Sequence, residues 1–404
     1  MNKQYIYLVG TCDTKYEELS YVKNIIEMYY KNVLLVDVGI KKHHKQVNIN
    51  NVFISSYHPI DKDFLNKNLD RGLSITLMGE AFEKYITAQN NICGVIGLGG
   101  SGGTSIVTKG MRALPIGIPK LMVSTVASGN VSYYVGPNDI FMLNSVTDIA
   151  GINKISRVVL GNAANAIVGM VKFNIPDADI NKPAIGITMF GVTTPCVDIV
   201  RKKLRDKFDC IVFHATGTGG KSMEKLLESN MLIGAIDITT TEICDLFMGG
   251  IMSAGEDRLD AIISTKKPYV GSIGALDMVN FGPIETVPEK YKSRNLYIHN
   301  PQITLMRTTK EENIKMGQWI ANKLNKCEGE VRFLIPERGI SMLDCEGQPF
   351  YDPEADSALF NAISSNFIET DKRKLLKYPF HINDKEFADA LCSCFIEIIL
   401  NKRG

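Results

Sequence analysis

The chain has 404 residues, 45% of them hydrophobic and 22% charged, and a formal net charge of +1. That length exceeds what one core usually supports, so two domains are expected, and the near-zero charge excludes a global attraction for nucleic acid or anionic lipid. Nine cysteines spread from Cys12 to Cys394 make no disulfide framework, and no apolar run reaches the ~18 residues of a membrane helix, so a soluble cytoplasmic protein is expected.

Residues 5–9 read as a strand rather than a signal peptide, Gly10-Thr-Cys-Asp-Thr14 as a turn, and residues 16–30 as a helix. Leu19, Val22, Ile25, Ile26 and Tyr29 recur there at helical spacing. Residues 33–36 form the next buried strand and deliver Asp37 and Gly39. Such a β-α-β opening belongs to a parallel sheet, whose working loops lie at strand C-termini. Asp13 either caps the helix or faces a ligand or its metal. Residues 41–70 are polar and irregular; His43 and His44 lack a ligand set at metal spacing, and with His58 they read as part of a solvated loop. A helix over 75–90 follows.

The apolar run 92–96 leads into Gly97-Leu-Gly-Gly-Ser-Gly-Gly-Thr104, and residues 104–111 can be helical. Backbone without Cβ atoms between a strand end and a helix start can surround an anion with amides, so phosphate is the expected guest and a structural turn the alternative. The spacing is not the Gly-x-Gly-x-x-Gly dinucleotide fingerprint. The expected contacts are Gly99, Gly100, Ser101, Gly102, Gly103 and Thr104, with Gly10, Thr11, Asp13, Thr14, Lys15 and Asp37 from the first two strand ends. A strand over 120–123 delivers Ser124, Thr125, Ala127 and Ser128, which either complete a phosphate or ribose site or make a turn. A strand over 139–143 and a helix over 155–173 complete this half. Pro176, Asp177, Asp179 and Pro183 then mark a composition break, which gives domains 1–178 and 179–404.

A second copy of the plan follows, with a strand over 184–189, a turn at Gly191, a helix over 195–204 and a strand over 210–214. That strand enters Ala215-Thr-Gly-Thr-Gly-Gly-Lys-Ser222. Aligning residues 100–105 on 217–222 suggests duplication or convergence. Gly217, Thr218, Gly219, Gly220 and Lys221 form a second candidate ligand loop resembling a relaxed P-loop, although Asp237 follows too soon for a P-loop NTPase. Glu242 and Asp245 share a helical face if Thr239 or Thr240 caps a helix, as an acid/base or metal pair or as a solvated face. Asp277 and Asn280 lie in an otherwise apolar stretch, where polar side chains need partners. A strand over 295–300 carries His299, and Arg307 can clamp a carboxylate or phosphate. Residues 311–324 form a helix that packs Trp319 into the core, 331–335 a strand, and 384–400 a final helix whose Cys392 and Cys394 read as core residues.

Taken together, Gly10-Thr-Cys-Asp-Thr-Lys15, Gly97–Thr104, Ala215–Lys221, Gly274-Ala-Leu-Asp-Met-Val-Asn-Phe-Gly282, His299-Asn-Pro301 and Leu305-Met-Arg-Thr308 closely resemble the Tm-one-like ATP-binding family. That bacterial family is related to the N-terminal part of a tomato mosaic virus resistance protein. The resemblance covers nearly the whole chain. It implies an α/β fold of two Rossmann-like subdomains, each a mainly parallel sheet flanked by helices with a cleft between them, together with ATP binding and a homodimer.

The leading reading is a module that holds ATP, with Mg²⁺ as a candidate companion, across the strand ends of the N-terminal half, and so biases assembly or a partner. No nucleic acid or membrane partner is expected. The rival is an ATP-dependent enzyme in which Lys221, Asp237, Glu242, Asp277, His299 and Arg307 converge on a small molecule between the domains. A nicotinamide-dependent oxidoreductase, with Asp37 at the second strand end, is a third.

Overall fold

Strands buried on both faces, covered by crossover helices, are what a parallel sheet requires, and the short apolar runs of this chain meet that requirement twice. The computed structural model describes residues 3–41, 43, 45–173 and 182–401. It divides into two units, Met1–Asp177 and Ala178–Gly404; the expected boundary between residues 178 and 179 lies outside the described residues, as does His44.

In unit 1, β1 (Tyr5–Gly10), β2 (Val33–Asp37), β3 (Ile92–Gly99), β4 (Lys120–Ser124) and β5 (Ile140–Asn144) form one parallel sheet in the order β2-β1-β3-β4-β5. Side chains alternate across it. Ile6, Leu8, Ile96, Leu98 and Leu121 pack towards helices Cys12–Tyr29 and Lys154–Lys172, whereas Tyr7, Val9, Val95 and Met122 pack towards helices Arg71–Thr87 and Ser101–Ala113. The chain therefore builds a three-layer α/β unit with a core on each face of the sheet.

Unit 2 has a six-stranded parallel sheet formed by β6 (Ala184–Met189), β7 (Asp209–His214), β8 (Ala235–Thr239), β9 (Tyr269–Gly274), β13 (Val331–Pro336) and β14 (Arg373–Tyr378). The order is β14-β13-β9-β8-β6-β7. A small antiparallel sheet, β10-β12-β11, joins β10 (Met278–Phe281), β12 (Ile303–Arg307) and β11 (Leu296–Asn300). Helices Thr194–Leu204 and Lys385–Asn401 cover one face of the large sheet, and Cys392 and Cys394 lie in that core. Trp319 packs, partly buried, against the core of the other face.

Both parallel sheets grow first to one side of their opening strand and then to the other, so each has a topological switch point, β1/β3 in unit 1 and β6/β8 in unit 2. The two glycine loops do not sit at equivalent points. The first follows β3, beside the switch, whereas the second follows β7 at the sheet edge. Aligning the loops by sequence therefore matches a third strand to a second one, and the shared plan of the units is their strand order.

Residues 45–70 hold more regular structure than their polarity suggests. They contain a helix Asn51–Ser55, capped by the Asn50 side chain, and a 3₁₀ turn Phe64–Asn66 whose Phe64 is buried. His58 is buried too: its Nε2 lies 3.0 Å from Glu80 Oε2 and its Nδ1 accepts from Asp61 N at 2.8 Å, so it is not a solvated loop residue. After the first glycine loop the helix begins at Ser101, three residues earlier than expected, because the crossover from β3 to β4 turns directly out of the sheet.

Candidate functional site

A cleft of about 780 Å³ opens at the switch point of unit 1. One wall is the start of the first helix, with Thr11, Asp13, Thr14 and Lys15; the other is the start of helix Ser101–Ala113, with Gly100, Ser101, Gly102, Gly103 and Thr125 beside it. Gly100 is extended (φ −77°, ψ −167°) and caps that helix with no side chain. The amides of Ser101, Gly102 and Gly103 have no acceptor among the described residues, whereas Thr104 N is already bonded to Gly100 O at 2.8 Å. Free first-turn amides at the positive end of a helix dipole attract an anion.

At Gly100 and Gly103 the missing side chains leave room, whereas a Cβ on Gly102 would lie 2.9 Å from Ile75 Cδ1. A Cβ on Gly103 would come no nearer than 3.7 Å to another atom and one on Gly100 no nearer than 3.8 Å, so neither glycine is demanded by protein packing. Gly99 differs: its Cβ would lie 2.9 Å from Gly103 Cα, which makes it a strand-to-helix contact.

The opposite rim is cationic and apolar. Lys41, Lys67 and Arg71 line the cleft with Lys15; Lys67 is paired with Asp61 at 2.7 Å, while Lys15, Lys41 and Arg71 pair with no carboxylate among the described residues. Asp13 is the one carboxylate in the lining among the described residues. Burial first, then the neighbouring Asp37 carboxylate, pushes its carboxyl above the ordinary range. Ile40, Leu65, Leu69, Ile75 and Ile106 supply an apolar surface beside these charges.

Several expected contacts turn inward. Asp37 is fully buried, and its Oδ1 accepts from Cys12 N at 2.9 Å and Gly39 N at 2.8 Å, so it braces the turn and reads no ribose. Asp13 does not cap the first helix, since Thr11 holds the N-cap position without a side-chain cap bond. Thr104 and Ser124 are buried and bonded hydroxyl to hydroxyl at 2.6 Å, a strut between β4 and the loop. Gly10 packs against Leu19 and Leu98, and Ala127 and Ser128 lie outside the cleft lining. No motif in the sequence marks Lys41, Lys67 and Arg71, which come from a polar stretch; the Asp70 cap one residue before Arg71 is a local clue.

The second glycine loop is closed by the protein itself. Gly217 opens helix Thr218–Glu228 with φ +84°, and Glu242 Oε1 accepts from Gly217 N at 2.7 Å and Gly220 N at 3.0 Å. Glu242 Oε2 accepts from Arg258 Nε at 2.9 Å, and the same guanidinium meets Asp237 and Glu224, each at 2.8 Å. A Cβ on Gly220 would lie 2.1 Å from Glu242 Oε2 and one on Gly219 1.8 Å from His214 O, so these glycines serve internal packing. A carboxylate thus takes the Gly217 and Gly220 amides, where a phosphate was expected. Glu242 opens helix Glu242–Met248, whose N-cap is Thr241 rather than Thr239 or Thr240; Thr241 Oγ1 donates to Met278 O instead.

The remaining residues expected to be catalytic do not converge on one surface. Arg307 is buried against Asp356 at 2.6 Å and Asp344 at 3.7 Å, beside Asp277, whose Oδ2 accepts from Ser341 Oγ at 2.7 Å. Burial, then the Asp344 carboxylate, pushes Asp277 up to about 7 and Asp356 up to about 8. Asp245 is buried, accepts from Met252 N and Asn280 N, and so makes no acid/base pair with Glu242. His299 is exposed on edge strand β11. Among the described residues no group of three or more His, Cys, Asp or Glu is arranged to hold a metal, all nine cysteines are free, and no helix is long and apolar enough to cross a membrane.

The comparisons with known proteins cover both units. The model of the Uncharacterised protein family (UPF0261) N-terminal domain matches residues 4–176, and that of its C-terminal domain matches residues 182–399. A UPF0261 protein of Rhizobium meliloti (strain 1021) is 53% identical across 97% of this chain and 98% of its own length, and one from Clostridium tetani is 46% identical across 99% and 100%. The ToMV resistance protein Tm-1(GCR237) of Solanum lycopersicum is 41% identical across 98% of this chain, which spans 56% of that protein. With both domains matched end to end, the chain belongs to the UPF0261 family.

Proposed function

We propose that unit 1 binds a nucleoside polyphosphate, ATP in the first instance. The observation that carries this reading is the uncapped start of helix Ser101–Ala113, where three unbonded amides face a cleft that also presents Lys15, Lys41 and Arg71. The phosphates would lie on those amides, and the apolar rim at Ile40, Leu69 and Ile75 would take the base. Asp13, with the Thr11 and Thr14 hydroxyls beside it, is the group suited to a Mg²⁺ on the phosphates, whose chemistry there is charge neutralisation.

Binding of this kind can bias a conformational or assembly equilibrium without chemistry. The buried state of Glu242, Asp277 and Arg307 favours that over the ATP-dependent enzyme, since those groups are committed to one another or to backbone amides. The homodimer and the cytoplasmic location belong to the same proposal. Calorimetry of the full chain with ATP and Mg²⁺ tests it: one site per chain is expected, weakened at least tenfold by Arg71→Ala combined with Lys15→Ala, which is ~1.4 kcal/mol or more. No heat with any nucleotide would remove the reading.

A further inference from the structure

Asp37 is the hub of the turn that forms one wall of the cleft. Its carboxylate takes the amides of Cys12 and Gly39 on Oδ1, and Oδ2 lies 2.7 Å from His43 Nε2. The Nδ1 of that ring accepts from Lys45 N at 3.0 Å, so a neutral His43 carries its hydrogen on Nε2 and donates it to Asp37. Between these anchors runs Gly39-Ile-Lys41, whose last two side chains line the cleft. Asn51 Nδ2 holds the same segment by its carbonyls, at 2.8 Å to Gly39 O and 3.1 Å to Lys41 O.

The electrostatics give the pair a second consequence. A Cβ on Gly39 would sit 3.0 Å from both Asp13 Oδ1 and Asp37 Oδ1, so two carboxylates flank one residue at the edge of an anion site. Asp37 stripped of its third donor would repel both Asp13 and a polyphosphate.

We infer that His43 is a positioning residue of the unit 1 cleft: its hydrogen bond to Asp37 latches the segment that aims Lys41 at the ligand and offsets the Asp37 charge. The inference rests on the polyphosphate reading. His43 does not line the cleft, so it acts through Lys41 and Asp37 and not by contact with ligand.

The test is a double-mutant cycle read by calorimetry with ATP and Mg²⁺ on the full chain. His43→Leu removes the donor and is expected to weaken binding about tenfold, as is Lys41→Met; the double variant should be little weaker than either single one, because both disable one element. His43→Gln, whose amide can donate to Asp37, should stay within about threefold of wild type, and it keeps the test decisive should the leucine variant not fold. Hydrogen exchange without nucleotide provides the independent arm: the Cys12 and Gly39 amides should exchange faster in His43→Leu than in wild type. Wild type that binds ATP while His43→Leu binds equally, or effects of His43→Leu and Lys41→Met that multiply, would overturn the latch alone. Wild type that binds no nucleotide would overturn the polyphosphate reading, and the role of His43 in binding with it.

Discussion

In unit 1 the amides of Ser101, Gly102 and Gly103 face a cleft rimmed by cations, whereas in unit 2 the amides of Gly217 and Gly220 are bonded to the Glu242 carboxylate. The two stretches have similar sequences and the same strand-to-helix context. Their different outcomes depend on what the rest of each unit brings to the helix start. In unit 2 a helix opening after β8 inserts a glutamate; in unit 1 the corresponding approach is left to Thr125 and to Gly100, which carries no side chain. A glycine loop is therefore evidence of an anion hole, and the anion can be the protein's own.

The largest effect expected from breaking this contrast is in unit 2. Glu242→Ala leaves Arg258 undercompensated and the two amides unbonded, and should destabilise the unit by roughly 3–5 kcal/mol in chemical denaturation. A loss under 1 kcal/mol would mean that the carboxylate is not part of the fold. Paired alanine substitutions sharpen the same point. Gly220→Ala places a methyl against Glu242 and should cost stability, whereas Gly103→Ala meets nothing nearer than 3.7 Å and should leave melting within ~1 kcal/mol of wild type while weakening ATP about tenfold or more. Equal effects of the two substitutions on stability would erase the distinction between the loops.

Unit 2 should also respond to pH through its buried carboxylates. The folded chain holds Asp277 and Asp356 protonated up to about 7 and about 8, above the value of 3.8 for an unperturbed Asp. Their contribution is fully present below that unperturbed value and is lost as pH rises through 7 to 8, with a slope of at most ~1.4 kcal/mol per pH unit for each proton. Asp356→Asn should flatten the fall in melting temperature between pH 5.5 and 8.5, and an unchanged slope would count against the shared buried charge. The smallest expected effect is at the end of β5, where Val146, exposed and β-branched, has φ +64°. Val146→Gly should stabilise unit 1 by ~0.5–1 kcal/mol, and a lower melting temperature would show that the position is not strained.

Much of the site's location was legible in residues 92–104, because a buried apolar run ending in glycines carries its own physics. The roles of Asp37, Thr104 and Ser124 were not. A carboxylate or hydroxyl at a strand end looks the same in sequence whether it faces a ligand or a neighbouring amide, and here all three are bonded inward. Lys41 and Arg71 were invisible for the opposite reason: isolated cations in a polar stretch have no pattern until the segments around Asn51 and Asp70 fold and bring them to one rim.

Local periodicity and composition determined the elements of this protein, its α/β class and the candidacy of both glycine loops, since burial patterns and backbone preferences act over a few residues. Only the tertiary structure decided which loop meets a carboxylate of its own chain. Whether Glu242 or a ligand meets a helix start depends on contacts between residues more than twenty positions apart, and such distances leave no signature in neighbouring letters.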